Sequence, residues 1–287
     1  MNVCKEWMGA RVFLRVIAAV ALACISARAE EPTQGVDLAL VSSVRSVSPS
    51  ATFAVGLTIH HHPGFHTYWK NPGAVGYPIQ MKWELPEGFT AGEVRWPVPE
   101  MSSMAGHPVF GYVRDVTLLV DLTAPAELPE GELEFHADVS WMACSNACHP
   151  DNRRFTVTLP VADETVAKEE VKELFAKAEE SIPLPLEGWS ATLESGVDGK
   201  QIVFQVTPPA GLADPGALRV YSYDGQISSD PEPVITKQEE GTYRIEVPRA
   251  DFSPKGEGSL PFVLVGENAI EEGGKTFGFL EPEYAGE

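Results

Sequence analysis

The chain is short of cysteine and of basic residues, and it lacks the common signatures of hydrolases and nucleotide-binding enzymes. Four cysteines in 287 residues (Cys4, Cys24, Cys144 and Cys148) are too few for a disulfide-built scaffold. Only 21 Lys and Arg stand against 41 Asp and Glu, a formal charge of −20, so nucleic acid and anionic lipid are repelled. Gly-x-Ser-x-Gly, a phosphate loop and His-Glu-x-x-His are absent, and no Asp or Glu pair is spaced like that of a glycosidase. The apolar stretch Val12 to Ile25 is too short and too weakly flanked for a good membrane span, and no other segment approaches ~20 apolar residues.

What is present begins with an export signal. Lys5, Arg11 and Arg15 supply positive charge, Val12 to Ile25 the apolar stretch, and Ala27-Arg28-Ala29 a small-x-small cleavage site before Glu30. Residues 1–29 are expected to be removed, taking Cys4 and Cys24 with them. Cys24 follows Ala21-Leu22-Ala23, only a weak lipoprotein-type context. The segment carries net +3, so the mature chain is near −23. Export puts it in an oxidising compartment, where disulfides form and persist.

Alternation of period two dominates the rest. Phe53-Val55-Leu57-Ile59, Ile79-Met81-Trp83-Leu85, Val116-Leu118-Val120-Leu122 and Leu133-Phe135-Ala137-Val139-Trp141 each put apolar side chains on one face of a strand. Phe155-Val157-Leu159 continues the pattern, and Pro- and Gly-rich turns such as Asn71-Pro72-Gly73 and Pro129-Glu130-Gly131 separate the runs. The spacing predicts an all-β protein built as a sandwich. Ala167, Val171, Leu174, Phe175 and Ala178 predict one helix from about Asp163, the N-cap, to Glu180, with Pro183 and Pro185 stopping it. Strands then resume at Ile202-Phe204-Val206, Leu218-Val220-Tyr221, Tyr243-Ile245-Val247 and Leu260-Phe262-Leu264. The expected organisation is a β-domain at 33–161, a linker helix within 162–185 and a second β-domain at 186–287.

The two remaining cysteines sit four apart, in Cys144-Ser-Asn-Ala-Cys148. In the chain-entropy model a five-residue ring stabilises by only about 2 kcal/mol, against roughly 4.7 for a hundred-residue loop. Reversible thiol chemistry explains such a pair better than structural need. Glu132 to Trp141 and Arg154 to Leu159 read as hairpin arms with the cysteines flanking the connecting loop, so the pair opens and closes with little backbone movement. No helix begins at Cys144, so thiol activation falls to neighbours, with His149, Arg153 and Arg154 the nearest candidates. Three readings stay open: a redox-active dithiol, a static clip, and a Cu(I) site of two thiolates with His149, against which stands the adjacency of Cys148 and His149. His60-His61-His62 with His66 reads as a solvated strand end in which at most His60 and His62 converge, and Tyr68 and Trp69 read as packing.

Gly64-Phe-His-Thr-Tyr-Trp-Lys-Asn-Pro-Gly73, Trp83-Glu-Leu-Pro-Glu-Gly-Phe89 and Trp96-Pro-Val-Pro-Glu100 resemble the periplasmic N-terminal region of DsbD-type thiol–disulfide interchange reductases. Trp141-Met-Ala-Cys-Ser-Asn-Ala-Cys-His-Pro150 is similar to the Trp-x-x-Cys-x-x-x-Cys-x-Pro signature of the ScsB branch, which is linked to copper tolerance. Tyr221-Ser-Tyr-Asp-Gly-Gln226 and Thr276-Phe-Gly-Phe279 resemble that branch's second β-region. The resemblance implies an immunoglobulin-like sandwich in the periplasm, with Cys144 and Cys148 as the exchanging pair of a thiol–disulfide oxidoreductase. It implies electrons taken from a membrane-embedded thiol reductase and passed to oxidised periplasmic proteins, in disulfide reduction, cytochrome c maturation or copper tolerance. No bound cofactor or metal is expected, because the cysteines carry the electrons. The resemblance also implies an aromatic cap over the pair, here from Met101 to Tyr112, with Phe110 the first candidate and Tyr112 the second, and Trp141 and His149 as flanking residues. The family's reductases continue into a multi-span membrane domain and a thioredoxin-like domain, so a chain ending at Glu287 is expected to draw electrons from a separate protein or to be a truncated relative.

Overall fold

A computed structural model describes residues 34–195, 200–239, 241–251, 260–271 and 273–284. The expected export signal, with Cys4 and Cys24, lies outside the described residues. The first β-region contains β1 (Val36–Ser42), β2 (Thr52–His61), β3 (Thr67–Gly73), β4 (Gln80–Glu84), β5 (Thr90–Ala91), β6 (Glu100–Met104), β7 (His107–Tyr112), β8 (Val116–Thr123), β9 (Glu132–Cys144) and β10 (Cys148–Pro160). Two antiparallel sheets, ordered β1-β2-β8-β5 and β10-β9-β4, face one another, and a third small sheet runs β3-β7-β6.

The alternating runs supply the interior of this immunoglobulin-like sandwich. Phe53, Val55, Val120 and Leu122 from one sheet meet Leu133 and Phe135 from the other, and the Phe53 and Phe135 rings lie edge to face at 5.7 Å. Nearer the cysteine end, Leu57, Ile59 and Leu118 pack with Ala137, Val139, Trp141 and the wholly buried Trp69. β3 shows no alternation because Thr67, Tyr68 and Trp69 are all buried, covered on both faces. Its close approach to β7 requires Gly111, where a Cβ would lie 2.1 Å from the Thr67 carbonyl oxygen.

The helix is shorter than its periodicity predicts. A 3-10 turn at Glu169–Val171 leads into α1 (Lys172–Glu180), capped by Val171 rather than Asp163. Residues 164–168 are diverted because 43–48 compete for their hydrogen bonds. Arg45 N–H donates to Val166 O at 2.8 Å, Lys168 N–H to Ser43 O at 2.8 Å, and Thr165 Oγ1 contacts the Ser48 hydroxyl at 2.8 Å. Far from being a free spacer, α1 lays Phe175 and Ala178 onto Leu119 of β8.

The second β-region contains β11 (Ser190–Ser195), β12 (Gln201–Thr207), β13 (Leu218–Ser222), β14 (Val234–Lys237), β15 (Tyr243–Pro248), β16 (Phe262–Gly266), β17 (Phe277–Leu280) and β18 (Glu283–Tyr284). Sheets β14-β15-β12-β11-β18 and β13-β16-β17 enclose a core of their own, including Phe204, Ile245, Phe262 and Leu264. Both β-regions fall in one compact unit from residue 33 onward. Tyr221 and Val263 join the first region's core, with Tyr221 edge-on to Phe110 at 5.0 Å.

Candidate redox site

The hairpin of β9 and β10 runs as one antiparallel ladder from Glu132↔Pro160 to Cys144↔Cys148. Its arms extend beyond the alternating residues, because Met142 to Cys144 pair with Cys148 to Pro150 although that stretch has no apolar rhythm. The cysteines are therefore the last rung. Their Cα atoms are 4.1 Å apart and they form a disulfide across a turn of Ser145-Asn146-Ala147. On its other side Cys144 meets His66, exchanging both backbone hydrogen bonds at 2.9 Å. The backbone N–H and C=O of Cys144 are thus both taken by His66, while its place in the β9–β10 ladder and the disulfide hold it from the other side.

Pairing with His66 brings Tyr68, two residues along, to the sulfurs. The Tyr68 hydroxyl donates to Cys144 Sγ at 3.1 Å and lies 3.9 Å from Cys148 Sγ. Burial raises the Tyr68 pKa, so the phenol stays a proton donor at neutral pH. The His66 ring meets Tyr68 edge to face at 5.2 Å, and burial lowers its pKa, leaving it neutral. Val109 completes a small cluster with Tyr68 and Cys144, against which Met104, Met142 and Cys148 pack. The Gly76 backbone lies on the Tyr68 ring, since a Cβ there would fall 2.2 Å from Cε1. Cys144 is completely buried, whereas Cys148 is half-buried.

Strand alternation sorts the remaining sequence candidates. Trp141 and Ala143 face the sandwich core, whereas Met142 and Cys144 face the cluster. On β7, Val109 faces the sulfurs while Phe110 points the other way, into the core against Tyr221. The stretch expected to cover the pair forms the β6–β7 hairpin, but the aromatic ring on the sulfur is Tyr68 of β3, not Phe110. Tyr112 shares the face of Phe110 and donates to Pro97 O at 2.9 Å. His149 adjoins the site and stacks obliquely on Phe65 at 6.1 Å. Arg154 is not a neighbour of the sulfurs: it lies six rungs down the ladder, holding Asp138 at 2.8 Å and Glu84 at 2.9 Å. From sequence Tyr68 reads as packing alone, because its contact with Cys144 depends on a single long-range bridge that no local pattern announces.

The histidine run alternates as a strand does. His60 and His62 rings lie 6.3 Å apart on the outer face, paired with Asp115 at 2.7 Å and Asp37 at 2.9 Å. His61 turns inward and hydrogen-bonds Thr67 Oγ1 at 2.9 Å. Among the described residues no three His, Cys, Asp or Glu side chains form a metal-ligating group.

The sequence model for the N-terminal part of thiol:disulfide interchange protein DsbD matches residues 37–160. The N-terminal periplasmic domain of ScsB from Proteus mirabilis superposes with a TM-score of 0.62 at 15% identity, covering 89% of this chain and 95% of that one. Weaker structural matches include the titin domains Z1Z2 in complex with telethonin (TM-score 0.20, 16% identity, 90% and 100% coverage). The major pilin subunit BcpA of Bacillus cereus also matches (TM-score 0.26, 8% identity, 88% and 64% coverage). No curated protein sequence matches the chain. Residues 37–160, which end in the disulfide-tipped hairpin of β9 and β10, therefore match a DsbD-type N-terminal domain, at family level a module of thiol–disulfide exchange.

Proposed function

We propose that the chain is a periplasmic thiol–disulfide oxidoreductase in which Cys148 meets partners and Cys144 stays inside. The observation that carries this reading is the asymmetry of the pair: Cys144 is completely buried under the Tyr68 hydroxyl, and Cys148 is half-buried. A donor thiolate attacks Cys148 Sγ, forming a mixed disulfide and expelling Cys144 as a thiolate. The Tyr68 hydroxyl donates to that sulfur, and a stabilised leaving thiolate departs faster. The donor's second thiolate then attacks its own mixed-disulfide sulfur, so the donor leaves oxidised and the pair holds two electrons and two protons. In the reverse sense, Cys148 thiolate attacks an oxidised client, Cys144 resolves the mixed disulfide, and the client leaves as a dithiol. The cysteines carry both electrons, so no bound cofactor takes part.

The direction proposed is from a membrane-embedded thiol reductase to oxidised periplasmic thiol proteins, serving disulfide reduction, cytochrome c maturation or copper tolerance. No described helix is long and apolar enough to cross a membrane. We assign the exchange to the domain at 33–161, with the 162–185 segment and the domain at 186–287 as its support.

Equilibration of Cys144–Cys148 with a glutathione series tests the reading. An exchange-capable pair is expected to have a potential near or above about −230 mV, and a value below about −300 mV marks a static bridge and overturns the proposal.

The tyrosine contact makes a separate prediction. Tyr68→Phe keeps the ring and removes the donor to Cys144 Sγ. Hydrogen bonds to charged groups are worth roughly 1.5–3 kcal/mol, so reduction by a dithiol is expected to slow about tenfold or more. Stopped-flow reduction of the intact oxidised chain measures it. An unchanged rate would reduce Tyr68 to a packing residue.

A further inference from the structure

The walls around the cystine are tied to the second β-region at several points, and both walls meet at one residue. Ser229, completely buried in the segment between β13 and β14, donates its hydroxyl to Pro108 O at 2.7 Å and accepts from Ala74 N–H at 2.7 Å. Ala74 opens the segment whose Gly76 lies on the Tyr68 ring, and Pro108 directly precedes Val109 of the sulfur cluster. One hydroxyl thus joins both covering segments. Its seat is close: a Cβ on Gly73, which has φ +85°, would come within 2.4 Å of Ser229 Oγ. Beside it, His107 Nδ1 contacts Asp230 Oδ2 at 3.0 Å, tethering the tip of the β6–β7 hairpin to the same segment. Farther along β3, Asn71 donates to Ser222 O at 2.9 Å and Lys70 Nζ stands 3.4 Å over the Tyr223 ring.

We propose that Ser229 is a latch through which the second β-region holds the two covering segments closed over Cys144–Cys148. Cys148 is half-buried and packs with Met104 of the β6–β7 hairpin against the Tyr68–Val109–Cys144 cluster, so full access of a thiolate to Cys148 Sγ requires the hairpin or the 74–78 segment to lift, and both movements break a bond to Ser229. The latch therefore sets the rate of access and leaves the balance between oxidised and reduced pair untouched. The inference builds on the exchange reading, but it is measured without any partner protein.

The test is reduction of the intact, oxidised chain by dithiothreitol, which gives two electrons and two protons to the disulfide and becomes its own cyclic disulfide. Ser229→Ala is expected to react about tenfold faster, the consequence of losing two hydrogen bonds of ordinary net strength. Its equilibrium constant with glutathione is expected to match that of the parent chain. An unchanged rate, or a shift in equilibrium equal to the shift in rate, overturns the latch. If Ser229→Ala does not fold, His107→Ala at the exposed hairpin tip decides alone: a rate two- to threefold higher is expected, and the parent rate overturns the proposal. A labile potential with unaltered rates removes the latch and spares the exchange reading, whereas a static potential with faster reduction in Ser229→Ala does the reverse.

Discussion

Cys144→Ala is expected to accumulate as stable mixed disulfides with its partners through Cys148, while Cys148→Ala yields almost none. Exchange through the cystine is lost in both variants, yet the trapped species separate them. In the first, the sulfur left behind is half-buried and can react with an incoming disulfide, and the thiol that would resolve the adduct is gone. In the second, the remaining sulfur is completely buried beneath Tyr68, Val109 and the β6–β7 hairpin. Non-reducing gels of extracts from cells producing each variant give the readout. Equal trapping by the two would remove the assignment of Cys148 as the contact residue, and trapping by neither would remove the exchange reading.

Acidification is expected to destabilise the fold before ordinary carboxylates titrate. Burial is the main influence on His61 and lowers its pKa to about 4, against the opposing pull of Asp115. The unfolded chain holds the same imidazole near 6.5. Between those values the unfolded state binds the extra proton, so stability is intact above about pH 6.5, falls as pH drops, and levels off below about pH 4. For this one group the loss from pH 7.5 to pH 5 is on the order of 2 kcal/mol. His66, lowered in the same direction by burial, adds to it. His60 works the other way, since its hydrogen bond with Asp115 raises its pKa, but it is exposed and the effect is weak. Urea midpoints at the two pH values measure the loss in the parent chain, and His61→Gln, which keeps a hydrogen-bonding group toward Thr67, is expected to show a much smaller difference. The same pH slope in the variant would exclude His61 as the cause.

How far the sequence carried this reading depended on how each segment is covered. β2, β8 and β9 were legible because each buries one face more than the other over eight or more residues, leaving a two-residue rhythm. β3 and β7 were not, since Tyr68, Trp69, Val109, Phe110 and Gly111 are buried without alternation. The helix was placed correctly at its end and too early at its start. Periodicity records which residues turn inward, but the competing hydrogen bonds of residues 43–48 that claim 164–168 leave no such mark. At the site, the cysteine spacing pointed to both the hairpin and its chemistry. The identity of the covering residues lay in the register between β3 and β7, where a shift of one position exchanges Val109 for Phe110.

The double hold on Cys144 has a consequence for how the molecule responds to losing the bond. With His66 gripping one flank and the hairpin ladder the other, that sulfur is expected to remain where it is when electrons arrive. Slack is then confined to Ser145-Asn146-Ala147 and the first residues after them, a few surface positions at the outer rim. Amide spectra of the two redox forms would differ there and hardly anywhere else, so a visiting protein would sense the redox state through local suppleness rather than through any change of shape.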